Sequence, residues 1–130
     1  MSLKVAPALL ERAKAGTVTD EEFLTCIRES LPYAWEVISR TAERLKREGG
    51  EFAEDNTPPP SPVEQGQLLR LLASSSMRSA VERHFGVRVE FQNCCKVALF
   101  RPEAVDGAAH KEFVSPRAQL LNQAPHLVNC

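Results

Sequence analysis

Cys94 and Cys95 are adjacent, and they stand where one alternating apolar run, Val87-Arg88-Val89-Glu90-Phe91, gives way to another, Val97-Ala98-Leu99-Phe100. With Cys26 and Cys130 they are the only thiols in the chain. Three chemistries are open to them. Four thiolates (Cys26, Cys94, Cys95 and Cys130) suit zinc or another soft metal, with His84, His110 or His126 as substitute ligands. The spacing is not that of a zinc ribbon or finger, because no Cys-x-x-Cys occurs. Neighbouring cysteines on an ideal strand face opposite sides, so they converge only where a turn bends the chain. Alternatively, Cys94 or Cys95 at a turn is a thiol nucleophile whose pKa a histidine such as His84 could lower. A disulfide at the hairpin is the third option and would act as a redox sensor in a reducing compartment.

Each chemistry has a plainer counterpart. Cys26 on a helix reads equally as a small buried residue, and His84 in a last helical turn sits well against the helix dipole. Tyr33 and Trp35, the only residues of their types, fall on different helix faces, so one can border a pocket while the other fills the core. The stretch 51–56 offers Glu51, Glu54 and Asp55 as site carboxylates or as a solvated loop.

The elements that must position these groups are written in local signals. Pro7 and Gly16 bracket a first helix. Thr19 and Glu22 form a capping box, with Val18 and Phe23 as its hydrophobic staple. Phe23, Leu24, Ile27 and Leu31 continue that helix at helical spacing. Pro32 either kinks it or starts another, which Gly49-Gly50 ends. Residues 49–60 read as a stiff, proline-rich internal connector. Ser61-Pro62-Val63-Glu64 opens a further helix, Ser74-Ser75-Ser76 interrupts it, and Gly86 closes the next. Strict alternation then predicts a β-hairpin with Cys94 and Cys95 at its tip. A loop containing Asp106-Gly107 follows, and then a last helix from Ser115-Pro116 that Pro125 ends. A lone hairpin is marginal in water and must lie on the helices. Its outer edges invite another chain, which makes a homodimer or partner protein the expected association.

With 130 residues the chain reads as one domain, 1–130. The expected fold class is α+β: a mostly helical single domain with an antiparallel β-hairpin packed on the helices. Sixteen basic against 17 acidic residues leave a formal net charge of -1, without the basic excess that nucleic-acid binding draws on. No apolar run reaches the ~20 residues of a membrane span. The start of the chain lacks a signal-peptide core, so a cytoplasmic location with reduced thiols is expected.

The blocks Ser30-Leu31-Pro32-Tyr33-Ala34, Gly50-Glu51-Phe52-Ala53, Arg83-His84-Phe85-Gly86-Val87, Phe91-Gln92-Asn93-Cys94 and Gln119-Leu120-Leu121-Asn122-Gln123 resemble a family of small actinobacterial, streptomycete-type proteins of unknown function. The resemblance runs almost end to end and includes the final cysteine. It implies no activity. In that family a histidine follows the hairpin cysteine where this chain has Cys95, an exchange that fits a metal ligand or a proton-handling group. Two functions are therefore expected. The first is a small cytoplasmic accessory or interaction protein with a cysteine-lined, metal-binding site at the hairpin, with room for a small-molecule ligand. The alternative is a small enzyme of specialised metabolism that uses Cys94 or Cys95 with a histidine.

Overall fold

Local caps set the helix boundaries in the computed structural model, which describes residues 3–92 and 96–121. Helix α1 (Pro7–Ala15) ends at Gly16, whose φ of 72° is left-handed. Helix α2 (Asp20–Ser30) opens on the expected capping box: the Thr19 hydroxyl accepts the Glu22 N–H, and the Glu22 carboxylate accepts the Thr19 N–H. Pro32 does not kink this helix but starts a new one, α3 (Pro32–Glu48). No side chain of its own caps α3. Its first free amides, on Tyr33 and Ala34, are instead taken by Gln67 Oε1 at 2.7 and 3.3 Å. Gln67 belongs to α4 (Pro62–Ala73), which Ser61 caps by accepting the Val63 N–H, while the Ser61 hydroxyl donates to Glu64. Ser74 alone separates α4 from α5 (Ser75–Phe85), ending one helix and capping the other.

The connector expected at 49–60 contains a strand, β1 (Phe52–Asp55). It pairs antiparallel with β3 (Lys96–Phe100), and β3 pairs on its other side with β2 (Arg88–Gln92). The sheet therefore has three strands in the order β1-β3-β2, and β3 is central rather than one edge of a lone hairpin. The acidic stretch is thus sheet rather than solvated loop. Asp55 is buried against Arg40 of α3, with Nε and Oδ2 2.8 Å apart.

Alternation splits the sheet into two faces. Ala53, Val89, Phe91, Val97 and Leu99 join the main core with Ile27, Ile38, Leu68, Leu71 and Val81 from the helices. The opposite face, expected to be solvated, is covered by α6 (Ala108–Phe113). There Ala98 and Phe100 pack with Phe113, Phe52 and Ala109. Helix α6 is not marked in the sequence: it follows a 3-10 turn at Pro102–Ala104 and precedes α7 (Pro116–Leu121). With helices on both sides, Val97, Ala98, Leu99 and Phe100 are all buried. The fold is α+β, as the sequence implies.

Side chains meet both outer strands. The Glu82 carboxylate accepts the outward Val89 N–H of β2 at 2.8 Å, and the Arg44 guanidinium donates to the Glu54 carbonyl of β1. At those positions the edge is satisfied from within the chain.

Candidate functional site

The polar residues of β2, Arg88, Glu90 and Gln92, share the face that α6 covers, and two of them hold the helix down. Glu90 Oε2 lies 2.5 Å from His110 Nε2. The other ring nitrogen, Nδ1, accepts the backbone N–H of Asp106 at 3.0 Å. A nitrogen that accepts carries no proton, so the imidazole proton sits on Nε2 and is donated to Glu90. The ring edge-packs on Phe100, 4.9 Å between centroids, and His110 is only 5% exposed. Both nitrogens are occupied, which makes His110 a positioning group for α6 rather than a free base.

One strand position further, Gln92 is 4% exposed, and its Nε2 donates to the Phe113 carbonyl at 2.5 Å. Its Oε1 is buried and has no hydrogen-bond partner among the described residues. Gln92 forms part of the wall of a cleft of about 440 Å³ between the sheet and helices α6 and α7. Phe52, Phe113 and Leu121 give the cleft its apolar surface, and Glu54, Lys96 and Glu112 supply charge. These charges are matched: Lys96 pairs with Glu54 at 3.7 Å, and Arg117 with Glu112 at 2.7 Å. Gln92 and Lys96 are also the residues that flank 93–95 in the chain.

The whole chain, residues 1–130, matches the model of a protein family described as "NucS shadow ORF", whose label begins with KH. The chain belongs to that family. The description names a reading frame and gives no activity. Neither a curated protein nor a solved structure matches. What the chain does must therefore be argued from its sites.

The residues singled out in the sequence are distributed unevenly in this family member. Cys94, Cys95, Cys130 and His126 lie outside the described residues. Cys26 is on α2 and 6% exposed, as the plain reading of a small buried residue has it. Its thiol donates to the Lys4 carbonyl at 3.4 Å and lies 3.9 Å from Ser30 Oγ. It borders a second cleft, of about 320 Å³, beside α1. His84 is exposed in the last turn of α5, just before β2 begins, and it packs on Trp35 and Phe85. Trp35 is half-buried, with the Arg28 guanidinium 5.9 Å over its ring. Among the described residues no group of three or more His, Cys, Asp or Glu is arranged to hold a metal.

Sequence reasoning placed Glu90 and Gln92 on one face but not the helix that covers them. His110 entered only as a substitute ligand. Its contact with Glu90 spans 20 residues of chain and has no local signature.

Proposed function

We propose that this chain is a small accessory protein that acts by binding, using the cleft where the hairpin end of the sheet meets α6 and α7. The observation that carries this reading is Gln92, a buried amide with an unmatched acceptor in the wall of a cleft of about 440 Å³. That volume lies in the range of small-ligand sites. The charged residues of the cleft neutralise one another and His110 is held at both nitrogens, which supports reading the cleft as one that receives a ligand.

Cys94 and Cys95 follow Gln92 and precede Lys96 in sequence. On this reading they lend the hairpin end thiolate chemistry, and zinc is the metal that suits it. A resemblance to proteins with histidine in place of Cys95 fits the same role. The test is a zinc titration of the reduced protein followed by two-dimensional amide NMR, with elemental analysis and a free-thiol count. Stoichiometric zinc that shifts the Gln92 and Lys96 amides, and is lost in Cys94→Ser or Cys95→Ser, is the expected result. No bound zinc and four titratable thiols would remove the metal from the proposal.

The KH in the family label favours a second reading, binding of single-stranded nucleic acid, because KH modules clamp the backbone on a Gly-x-x-Gly loop. Here no two glycines stand three residues apart, and the net charge is -1. The Glu82 carboxylate also occupies the edge of β2. On these features we rank nucleic acid second. A mobility shift with single-stranded oligonucleotides that weakens steeply as salt rises would reverse the order.

A further inference from the structure

The α6 wall of the cleft stands on a single turn. Ala109, Glu112 and Phe113 of α6 line the cleft, and the Gly107 carbonyl, directly before the helix, accepts the Lys111 N–H. The turn closes through Asp106, whose N–H is accepted by His110 Nδ1 at 3.0 Å while a φ of 68° holds that residue in the left-handed region. A residue other than glycine stays there where its surroundings hold it. The lone pair that accepts the Asp106 N–H is the same one that a second imidazole proton occupies. In the protonated ring both nitrogens are donors, so two N–H groups would face each other across the turn. Nε2 carries a proton in either state, and a charged ring donates to the Glu90 carboxylate more strongly than a neutral one. A second proton therefore strengthens the contact of His110 with β2 and opposes its contact with residue 106.

The other groups around the ring are engaged. Glu90 is the carboxylate of β2 in contact with it, and β3 presents Phe100, which meets the imidazole edge-on. Arg88 of β2 is paired with Glu82, and Lys96 of β3 with Glu54. On α6 itself Lys111 is exposed and Glu112 is paired with Arg117; before it, Glu103 is exposed and Arg101 donates to the Gly50 and Leu45 carbonyls. Asp106 is exposed, and its carboxylate is the acceptor that this turn offers a new Nδ1–H.

We infer that the cleft is regulated by pH through His110: the neutral imidazole seats the turn and the α6 wall in the shape that forms the cleft, and protonation turns residue 106 away and shifts that wall. His110 acts here as a positioning residue and does not itself meet the ligand. The inference rests on the binding role proposed for the cleft and adds its regulation.

The test compares the full chain at about pH 7.5 and about pH 5.5, the span in which histidine ordinarily changes charge. Nitrogen-15 NMR reads the turn in the free protein. Scalar coupling across the hydrogen bond from the Asp106 N–H to His110 Nδ1 is expected at the upper pH and is expected to vanish as the ring gains its second proton. Benzyl alcohol, uncharged at both pH values, probes the cleft through the Phe52 and Phe113 ring signals. It is expected to bind at least about fivefold more weakly at the lower pH, the factor that one lost hydrogen bond supplies. His110→Gln cannot gain the proton and is expected to bring the two affinities within about twofold of each other. His84→Gln, at an exposed histidine outside the cleft, should keep the wild-type ratio. Should His110→Gln fail to fold, the wild-type coupling still decides: coupling that survives protonation of the ring overturns the inference. An acid response that persists in His110→Gln, or disappears in His84→Gln, belongs to another group and overturns it too. Loss of the coupling with unchanged benzyl alcohol affinity overturns the regulation alone and leaves the cleft a binding site. Benzyl alcohol that binds at neither pH removes the binding role and its regulation together.

Discussion

Glu90 on β2 and His110 on α6 meet with Oε2 and Nε2 2.5 Å apart, both largely shielded from water. The contact joins the hairpin to the six-residue helix α6, which Gln92 also holds through the Phe113 carbonyl. His110 in turn holds the loop before it, because Nδ1 accepts the Asp106 N–H while Asp106 adopts a left-handed φ of 68°. Aspartate tolerates that conformation better than most residues, and the hydrogen bond fixes it there. One imidazole thus sets the position of α6 and the turn that leads into it.

Removing His110 leaves the largely shielded Glu90 carboxylate without this contact, and removing Glu90 leaves His110 Nε2 without it. His110→Ala is expected to cost about 2–3 kcal/mol of stability, the range for hydrogen bonds to a charged group. Urea unfolding reads that loss directly. Nitrogen-15 NMR of the wild-type imidazole should show the proton on Nε2. A proton on Nδ1 would contradict the Asp106 contact and with it the account of the turn.

Asp55 and Arg40 make stability depend on acid. Burial pushes the Asp55 carboxyl up, but the Arg40 hydrogen bond, the Thr57 N–H and the Arg40 charge together hold it below the ordinary value. A depressed carboxyl stabilises the fold above its unfolded pKa of about 4, and that stabilisation is lost as pH falls through the lower folded value. Asp55→Asn should therefore flatten the stability profile below about pH 4. Its cost at neutral pH is about 2 kcal/mol, less than for a fully buried pair because Arg40 is partly exposed. An unchanged acid profile in the variant would move the acid sensitivity to other carboxylates.

The Glu82 carboxylate closes β2 at Val89 by accepting an amide that another strand would otherwise seek. Glu82→Ala is expected to destabilise the fold by about 1–2 kcal/mol and to raise self-association with concentration. Glu82→Gln keeps an acceptor and should stay close to wild type. Sedimentation velocity across a hundredfold range separates the outcomes. An alanine variant no more associated than wild type would show that the edge is blocked by something else.

The contrast between two helix starts explains how much was legible beforehand. Thr19 and Glu22 cap α2 from within four residues, so the sequence displays the whole device. The start of α3 is capped by Gln67, more than 30 residues away, and nothing local announces it. The same division runs through the sheet. β2 and β3 are neighbours in the sheet and close in sequence, and their alternation is readable. β1 has four residues, lies between Gly49-Gly50 and three prolines, and exists because β3 offers it a ladder. Polar alternation at Arg88, Glu90 and Gln92 suggested a wet face. The face is partly dry because α6, too short to show a period, folds onto it. The cleft was hidden for the same reason.

Cys26 provides a test of how the N-terminal part of the chain is held. Two hydrogen bonds tie residue 4 to α2: the Lys4 N–H donates to Ser30 Oγ at 2.8 Å, and the Cys26 thiol donates to the Lys4 carbonyl. To act as a nucleophile or a metal ligand, a thiol that donates to a carbonyl would first have to give up that contact. Alkylation of Cys26 in the native protein should therefore wait on local opening of this segment and run far slower than in denaturant. Ser30→Ala removes one tie and should speed native labelling about fivefold, the effect of one lost hydrogen bond, with little change in global stability. Peptide-resolved mass spectrometry after iodoacetamide treatment measures both rates. Labelling of wild-type Cys26 as fast as in the unfolded chain would mean that residue 4 does not cover it, and Cys26 would then be open to a metal.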